Sequence, residues 1–329
     1  MNRFNALILS GLRKLYDLIF TGWHTPVVNR GIEDANLASD LIYSILETGK
    51  PCMIARFGST ELACVRNYIG VMNPNKSVYN YIKGTCLQWW WNEKLIKQIE
   101  EWSGFFPSNK DTLSQFAKLM LDDCKYLDLL GSWVDDEYYV QEYITHAKKV
   151  SLLYLEPYWS NRPWSRILKG KNVVVVHPFA ELIEQQYKTN RNFLFKNSDV
   201  LPEFNLRTVK AVQSLGGQDH GFSNWFEALD WMKHEIDKED YDICLIGCGA
   251  YGFPLAAHVK RTGKQAVHIG GALQILFGII GKRWEDPQYG FREFKKESSY
   301  KALFNHYWKR PGKETFSVNH NKVENSCYW

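Results

Sequence analysis

The chain has 329 residues, 45% of them hydrophobic and 23% charged, which suits an ordinary globular protein of one large domain or two smaller ones. Its 40 basic and 36 acidic side chains leave a formal charge of +4. With no basic run or stripe, that small excess excludes a nucleic-acid partner.

In chain order, Phe4, Leu7, Ile8, Leu12, Leu15, Ile19 and Phe20 recur at helical spacing, with Arg3, Arg13 and Lys14 among them. The basic pair interrupts too early for a signal-peptide core, so the stretch predicts an amphipathic helix. Docking on its own domain or a partner subunit is the commoner fate of such a helix. A membrane surface met through residues 1 to 22 is the alternative. Asp34 or Asn36 can cap a second helix running through Glu47, and Gly49-Lys50-Pro51 breaks it. Cys52 to Arg56 reads as a short apolar strand, Phe57-Gly58-Ser59-Thr60 as a turn, and Glu61 to Tyr68 as the start of a helix.

Residues 70 to 150 read as a helical, aromatic insert. Trp89-Trp90-Trp91 cannot share one helix face, because neighbours differ by about 100°. Asp122-Asp123 and Asp135-Asp136-Glu137 are expected at solvated helix ends. Ser151 to Leu155 is a predicted strand, followed by the loop Glu156-Pro157-Tyr158-Trp159. Four valines make Lys171 to Val176 the clearest strand, and His177-Pro178-Phe179 turns it into a helix over Ala180 to Lys188. A short strand lies within Phe204 to Val212. Gly216-Gly217 follows, and Trp225 to Ile236 is an amphipathic helix.

Tyr241 to Ile246 is then a buried strand. Gly247, Gly249 and Gly252 follow it at G-x-G-x-x-G spacing. Phe253 to Arg261 is helical, Gly263 ends it, and Lys264 to Ile269 is the next strand, broken by Gly270-Gly271. A last helix is expected over Phe291 to Tyr307, then a loosely ordered polar tail.

Strands alternating with helices imply an α/β fold: a Rossmann-like, largely parallel sheet with flanking helices, a helical insert and an N-terminal amphipathic helix. The predicted organisation is helix and linker over 1–30, one catalytic domain over 31–310 with its insert near 70–150, and a tail over 311–329. Seven scattered cysteines without a C-x-x-C pair argue for a reducing, cytoplasmic setting and against a zinc site or disulfide framework. No apolar run approaches the roughly 20 residues of a membrane span.

Ligands of parallel sheets bind at the carboxyl ends of the strands. Three such ends carry candidate chemistry. Arg56, Gly58 and Glu61 bracket the first turn: Arg56 can grip a phosphate, and Glu61 can act as general base or metal ligand. An Arg56–Glu61 ion pair holding the turn is the plainer alternative. His177 stands at the second, with Pro178 and Glu181. The third is the glycine turn, Gly247 to Gly252 with Tyr251, together with His268, Gly270 and Gly271. The glycine spacing matches a dinucleotide fingerprint. The acidic ribose ligand expected about 20 residues on is replaced by His268, which counts against a nicotinamide enzyme. A nucleotide-cofactor oxidoreductase or methyltransferase stays as the alternative class.

The segment Arg56-Phe57-Gly58-Ser59-Thr60-Glu61-Leu62 resembles the R-[FY]-G-D-G-E-L motif of the GT-D type glycosyltransferases. Asp242 to Gly270 is similar to that family's late strand–helix–strand segment, and Val173 to Phe195 to its middle strand and loop. The resemblance spans residues 35 to 285 and is weakest in the insert. It implies sugar transfer from a nucleotide-activated donor, in proteins that build bacterial surface glycans or decorate glycoproteins; the expected acceptor is a glycan or lipid-linked molecule of surface polysaccharide biosynthesis, with residues 1 to 22 as the candidate contact to the inner face of the cell membrane. It also implies a D-x-E motif tied to a divalent cation (Mn or Mg) and the donor. This chain departs there: Ser59 and Thr60 replace the Asp and Gly, and only Glu61 remains. A hydroxyl is a weaker ligand for a hard cation than a carboxylate. The expected site is therefore Glu61 as catalytic residue and sole remaining metal ligand, with Arg56, Gly58, Ser59, Thr60, His177, the glycine turn, Tyr251, His268, Gly270 and Gly271 on the donor. A non-catalytic nucleotide-sugar-binding relative is the reading that Ser59 favours most.

Overall fold

Chain order sets the layout of the computed structural model, which describes residues 3–20, 22–214, 221–291, 295, 297–312 and 328. Helices α1 (Arg3–Phe20) and α2 (Ala35–Glu47) lead into strand β1 (Cys52–Ala55) and helix α3 (Ser59–Met72). Helices α4 (Val78–Ile82), α5 (Glu93–Ser103) and α6 (Lys110–Asp123) follow, then β2 (Leu129–Ser132) and β3 (Lys148–Ser151). The second half runs β4 (Asn172–His177), α7 (Ala180–Leu194), β5 (Asn205–Lys210), α8 (Trp225–Asp237), β6 (Ile243–Ile246), α9 (Gly252–Arg261), β7 (Gln265–His268) and α10 (Leu273–Leu276).

The strands form one seven-stranded sheet in the order β3-β2-β1-β7-β6-β4-β5. Every pairing is parallel. The central strands β1, β2, β6 and β7 are buried at every residue, which is why β1 and β6 read as unbroken apolar runs. Edge strand β5 alternates exposed polar residues with buried or half-buried ones, a pattern that blunts an open edge.

Alternate residues of one strand feed opposite layers. Val173 and Val175 pack with Ile42 and Leu46 of α2 and Ile183 of α7. Val174 and Val176 pack with Leu62 of α3, Phe116 of α6, Leu229 of α8 and Leu255 of α9. The cap of α2 is Asp34, whose Oδ1 accepts from the backbone N–H of Asn36 and of Leu37 at 2.9 Å.

Four expectations need correction. The insert is not helical throughout: residues 129 to 151 supply two strands of the main sheet, with a 3-10 segment, Asp135–Tyr143, between them. Strand β3 ends at Ser151, and Leu152–Leu155 is a turn of 3-10 helix that buries Leu153 and Leu155. A short apolar run fits a buried helical turn as well as a strand, and pairing with β2 and residue Ile32 decides it. The acidic clusters are not solvated throughout. Asp123 is 1% exposed and pairs with Arg261 at 2.5 Å, while Glu137 is fully buried. Trp89, Trp90 and Trp91 lie outside any helix, in the connection between α4 and α5, with Trp91 buried.

The expected last helix over 291–307 falls partly outside the described residues; the described part holds one 3-10 turn, Lys301–Leu303. Gly216-Gly217 and most of the tail also fall outside them. Among the described residues no helix is long and apolar enough to cross a membrane.

Candidate functional site

In a parallel sheet all the strand ends point one way, and here all seven carboxyl ends deliver residues to one cavity of about 640 Å³. That is the size of a small-molecule site. β1 supplies Arg56 and Gly58 to Glu61, and β2 supplies Trp133. β3 leads to Glu156, β4 to His177 and Phe179, and β5 to Gln213 and Ser214. β6 contributes Gly247 to Gly249 and Tyr251, and β7 contributes His268, Gly270 and Gly271. Of the residues singled out from the sequence, Gly252 and Glu181 do not line this cavity; Glu181 instead pairs with Lys210 at 2.8 Å.

Arg56 is fixed from three sides. Its Nε and Nη2 both donate to the carbonyl of Phe57, at 2.9 and 2.7 Å. Its guanidinium lies over the Trp133 ring, 4.8 Å from the centroid. A Cβ built on Gly270 would sit 3.0 Å from Nη1, so that glycine leaves room for the guanidinium. Trp133 is held in turn: its Nε1 donates to Phe57 O at 2.8 Å, and its backbone N–H donates to Glu137 Oε1 at 2.8 Å. Glu137 Oε2 accepts from Ser132 Oγ at 2.5 Å. The buried carboxylate that looked like a solvated charge is therefore a brace behind the arginine. No Arg56–Glu61 ion pair within 4 Å forms among the described residues; the Glu61 carboxylate instead folds against Gly58, where an added Cβ would lie 1.8 Å from Oε2. Burial lowers the Arg56 pKa from its usual value, and Tyr328 and Glu61 partly offset this.

Both histidines are buried and held neutral, their pKa values depressed to about 3. Burial is the main cause for each, and the charge of Arg56 adds to it at His268. Their tautomers differ. The backbone N–H of Phe179 donates to His177 Nδ1 at 3.0 Å, so the His177 proton sits on Nε2. His268 Nδ1 lies 3.1 Å from the Ile246 carbonyl and must donate, leaving Nε2 as an acceptor.

The three turn glycines are required for three different reasons. A Cβ on Gly247 would lie 2.7 Å from Gly270 O and 2.9 Å from His177 Cδ2. Gly249 has φ +58°, with open space around its Cβ position. Gly252 faces the His268 ring, where a Cβ would lie 2.1 Å from Cε1. Expected on the donor, it lies off the cavity lining and makes room for His268. Tyr251 stacks on Trp225 at 4.8 Å, and its hydroxyl meets Ser214 Oγ at 2.8 Å.

Sequence reasoning left several cavity residues without a role. Glu156 is 6% exposed, and its Oε2 accepts from Trp159 Nε1 and Tyr300 Oη, both at 2.7 Å. Its place just after β3 was the available signal. Arg30 and Arg283 also line the cavity, and Arg283 Nη1 donates to Tyr328 Oη at 3.2 Å. Tyr289, also on the cavity lining, has its pKa raised to about 12, chiefly by burial. No local pattern marks these residues, because they arrive from distant parts of the chain.

Three arginines therefore face two glutamates in the cavity. Helices α3, α7 and α9 all begin at its wall, so the positive ends of three helix dipoles converge there. Such a place suits an anionic ligand. Among the described residues no group of three His, Cys, Asp or Glu side chains could hold a metal ion. Glu61 brings a single carboxylate to this part of the cavity wall.

No protein-family model matches the chain, and no curated protein matches it. A solved structure described as the selenomethionine-substituted domain of unknown function 1792 aligns over 85% of this chain and 91% of its own, with 12% identity and a TM-score of 0.33. A likeness that low carries no argument about what the cavity binds.

Proposed function

We propose that the cavity binds a nucleotide-activated sugar and that the protein is a glycosyltransferase acting on a glycan or lipid-linked acceptor, as in bacterial surface polysaccharide assembly. One observation carries this reading: the Arg56 to Glu61 turn and the glycine turn, 186 positions apart counting from Glu61 to Gly247, face the same cavity. Arg56 and Arg283 would neutralise the diphosphate, with the backbone N–H groups that open α3 and α9. Stabilising the departing nucleoside diphosphate in this way supplies much of the rate enhancement such a reaction needs. Glu61 would orient the donor or move the acceptor proton. A divalent cation, where one takes part, would be shared between Glu61 and the phosphates, lowering the charge on the leaving group.

The rival nucleotide-cofactor reading is weakened by topology. The usual dinucleotide fold has strand order 3-2-1-4-5-6, with the glycine turn after its first strand. Here the order is β3-β2-β1-β7-β6-β4-β5, and the glycine turn follows β6.

A thermal-shift screen of nucleotide sugars, with and without Mn or Mg, tests the reading. At 100 times Kd a ligand adds about 2.7 kcal/mol, which should raise the midpoint by about 4 °C. No shift with any nucleotide sugar overturns it. Glu61→Gln should keep binding and lose donor hydrolysis or transfer; unchanged turnover removes Glu61 from the chemistry. Binding without turnover in the unaltered protein would make it the non-catalytic relative that Ser59 favours.

A further inference from the structure

Helix α1 sits the wrong way round for a helix that exists to bury its apolar side. Phe4, Leu7, Ile8, Leu15, Leu18 and Ile19 are between 45% and 84% exposed. At about 100° per residue they fall within an arc of roughly 120°. The opposite side faces the body of the protein. Ser10 Oγ lies 3.5 Å from Tyr81 Oη of α4, and the Arg13 guanidinium lies over the Tyr81 ring, 5.1 Å from its centroid. Surface helices ordinarily bury the apolar stripe and expose the polar one. Here the mixed side packs and the apolar side faces outward.

The charge around this stripe is one-sided. Lys14 is exposed and stands beside the arc. The segment holding α4, residues 73–84, adds Lys76 and Lys83 and has no acidic residue. The acid of α1, Asp17, has its Oδ1 buried. Tyr79 of α4 is 65% exposed, with Lys83 Nζ 4.2 Å from its ring centroid. Apolar side chains, an exposed tyrosine and lysines at the edge match the chemistry of a membrane–water boundary.

We infer that α1 lies in the surface of an anionic lipid bilayer, its apolar arc among the acyl chains and Lys14, Lys76 and Lys83 among the headgroups. The helix is about 27 Å long and would lie in the plane of the surface. A second copy of the chain fits the stripe less well. A two-fold contact brings the same patch together from both sides, and here that sets lysines against lysines. The lipid contact is independent of what the cavity binds.

Co-sedimentation of the full chain with vesicles of phosphatidylcholine, alone or mixed with phosphatidylglycerol, tests this. The protein should pellet with the anionic vesicles and much less with the neutral ones. Leu15→Glu with Leu18→Glu should lower partitioning at least tenfold, since each buries a charge in place of an apolar side chain. Both positions are exposed, so the unfolding midpoint should hold. Lys14→Glu with Lys76→Glu leaves the apolar arc intact and should weaken binding about tenfold or more, with a matching loss for the unaltered protein in about 0.5 M salt. Three results overturn the inference: no pelleting with either vesicle, equal pelleting of the leucine variant, or a dimer in solution that the leucine variant separates while vesicles stay unbound.

Discussion

The turn after β1 and the turn after β6 share a cavity but are built on opposite terms. At the β6 turn the residue type is dictated by what surrounds it. Gly247 is squeezed by Gly270 and His177, Gly252 by the His268 ring, and Gly249 by its own positive φ. None of the three needs a ligand to explain it. At the β1 turn the side chains are the point. Arg56 is half-buried at the cavity wall, braced by Phe57, Trp133 and, through Trp133, by Glu137. Nothing in the packing calls for a guanidinium there. A glycine pattern can thus have a purely structural cause, whereas a half-buried, braced charge without an ion-pair partner within 4 Å among the described residues asks for a ligand.

The contrast can be broken most directly at Gly252. Gly252→Ala should cost about 3 kcal/mol, measured by urea unfolding, because its Cβ must displace the buried His268 ring. A loss under about 0.5 kcal/mol would remove the packing account of the glycine turn. Arg56→Ala should weaken binding of a nucleoside diphosphate about thirtyfold by calorimetry, near 2 kcal/mol, the scale of a charged hydrogen bond. Unchanged affinity would mean that the brace serves the fold alone.

The buried histidines should also give a pH signature. Each has a folded pKa of about 3 against an ordinary value of 6.5. The unfolded chain binds protons below about 6.5 that the folded protein refuses, so stability falls as pH falls from there toward 3. The slope is about 1.4 kcal/mol per pH unit for each histidine. Asp123, raised to about 6 mainly by burial, acts the other way between about 6 and its ordinary 3.8. Asp136, also raised chiefly by burial, acts with Asp123, while Glu181, lowered by its hydrogen bond from Lys210, acts with the histidines, so acidification still brings a net loss. His177→Asn, which can still accept from the Phe179 N–H, should reduce the slope by about 1.4 kcal/mol per unit. An unchanged slope would mean His177 is not held neutral. Gly249→Ala should have the smallest effect, about 1 kcal/mol by urea unfolding, since only the positive φ opposes it. A cost matching that of Gly252→Ala would erase the distinction drawn among the three glycines.

Much of the fold was legible because its strands are buried on both faces. Val173 to Val176, Ile243 to Ile246 and Cys52 to Ala55 announce themselves as apolar runs. Strand β2, Leu129–Ser132, did not: it is four residues long, ends in Gly-Ser, and follows a long helical stretch. Within the site, strand-end residues such as Arg56, His177 and His268 could be picked from position alone. Arg30 and Arg283 could not be tied to them, because loops bring them in from afar.

Local order in the sequence determined the strands, the helices and the glycine turns, since each depends on neighbours a few positions away. It also determined that α1 would be amphipathic. The strand order, the brace from Glu137 through Trp133 to Arg56, and the outward aim of α1's apolar side were decided only by tertiary structure. Each depends on contacts between residues far apart in the chain, and no pattern of spacing encodes which distant surface an element will meet.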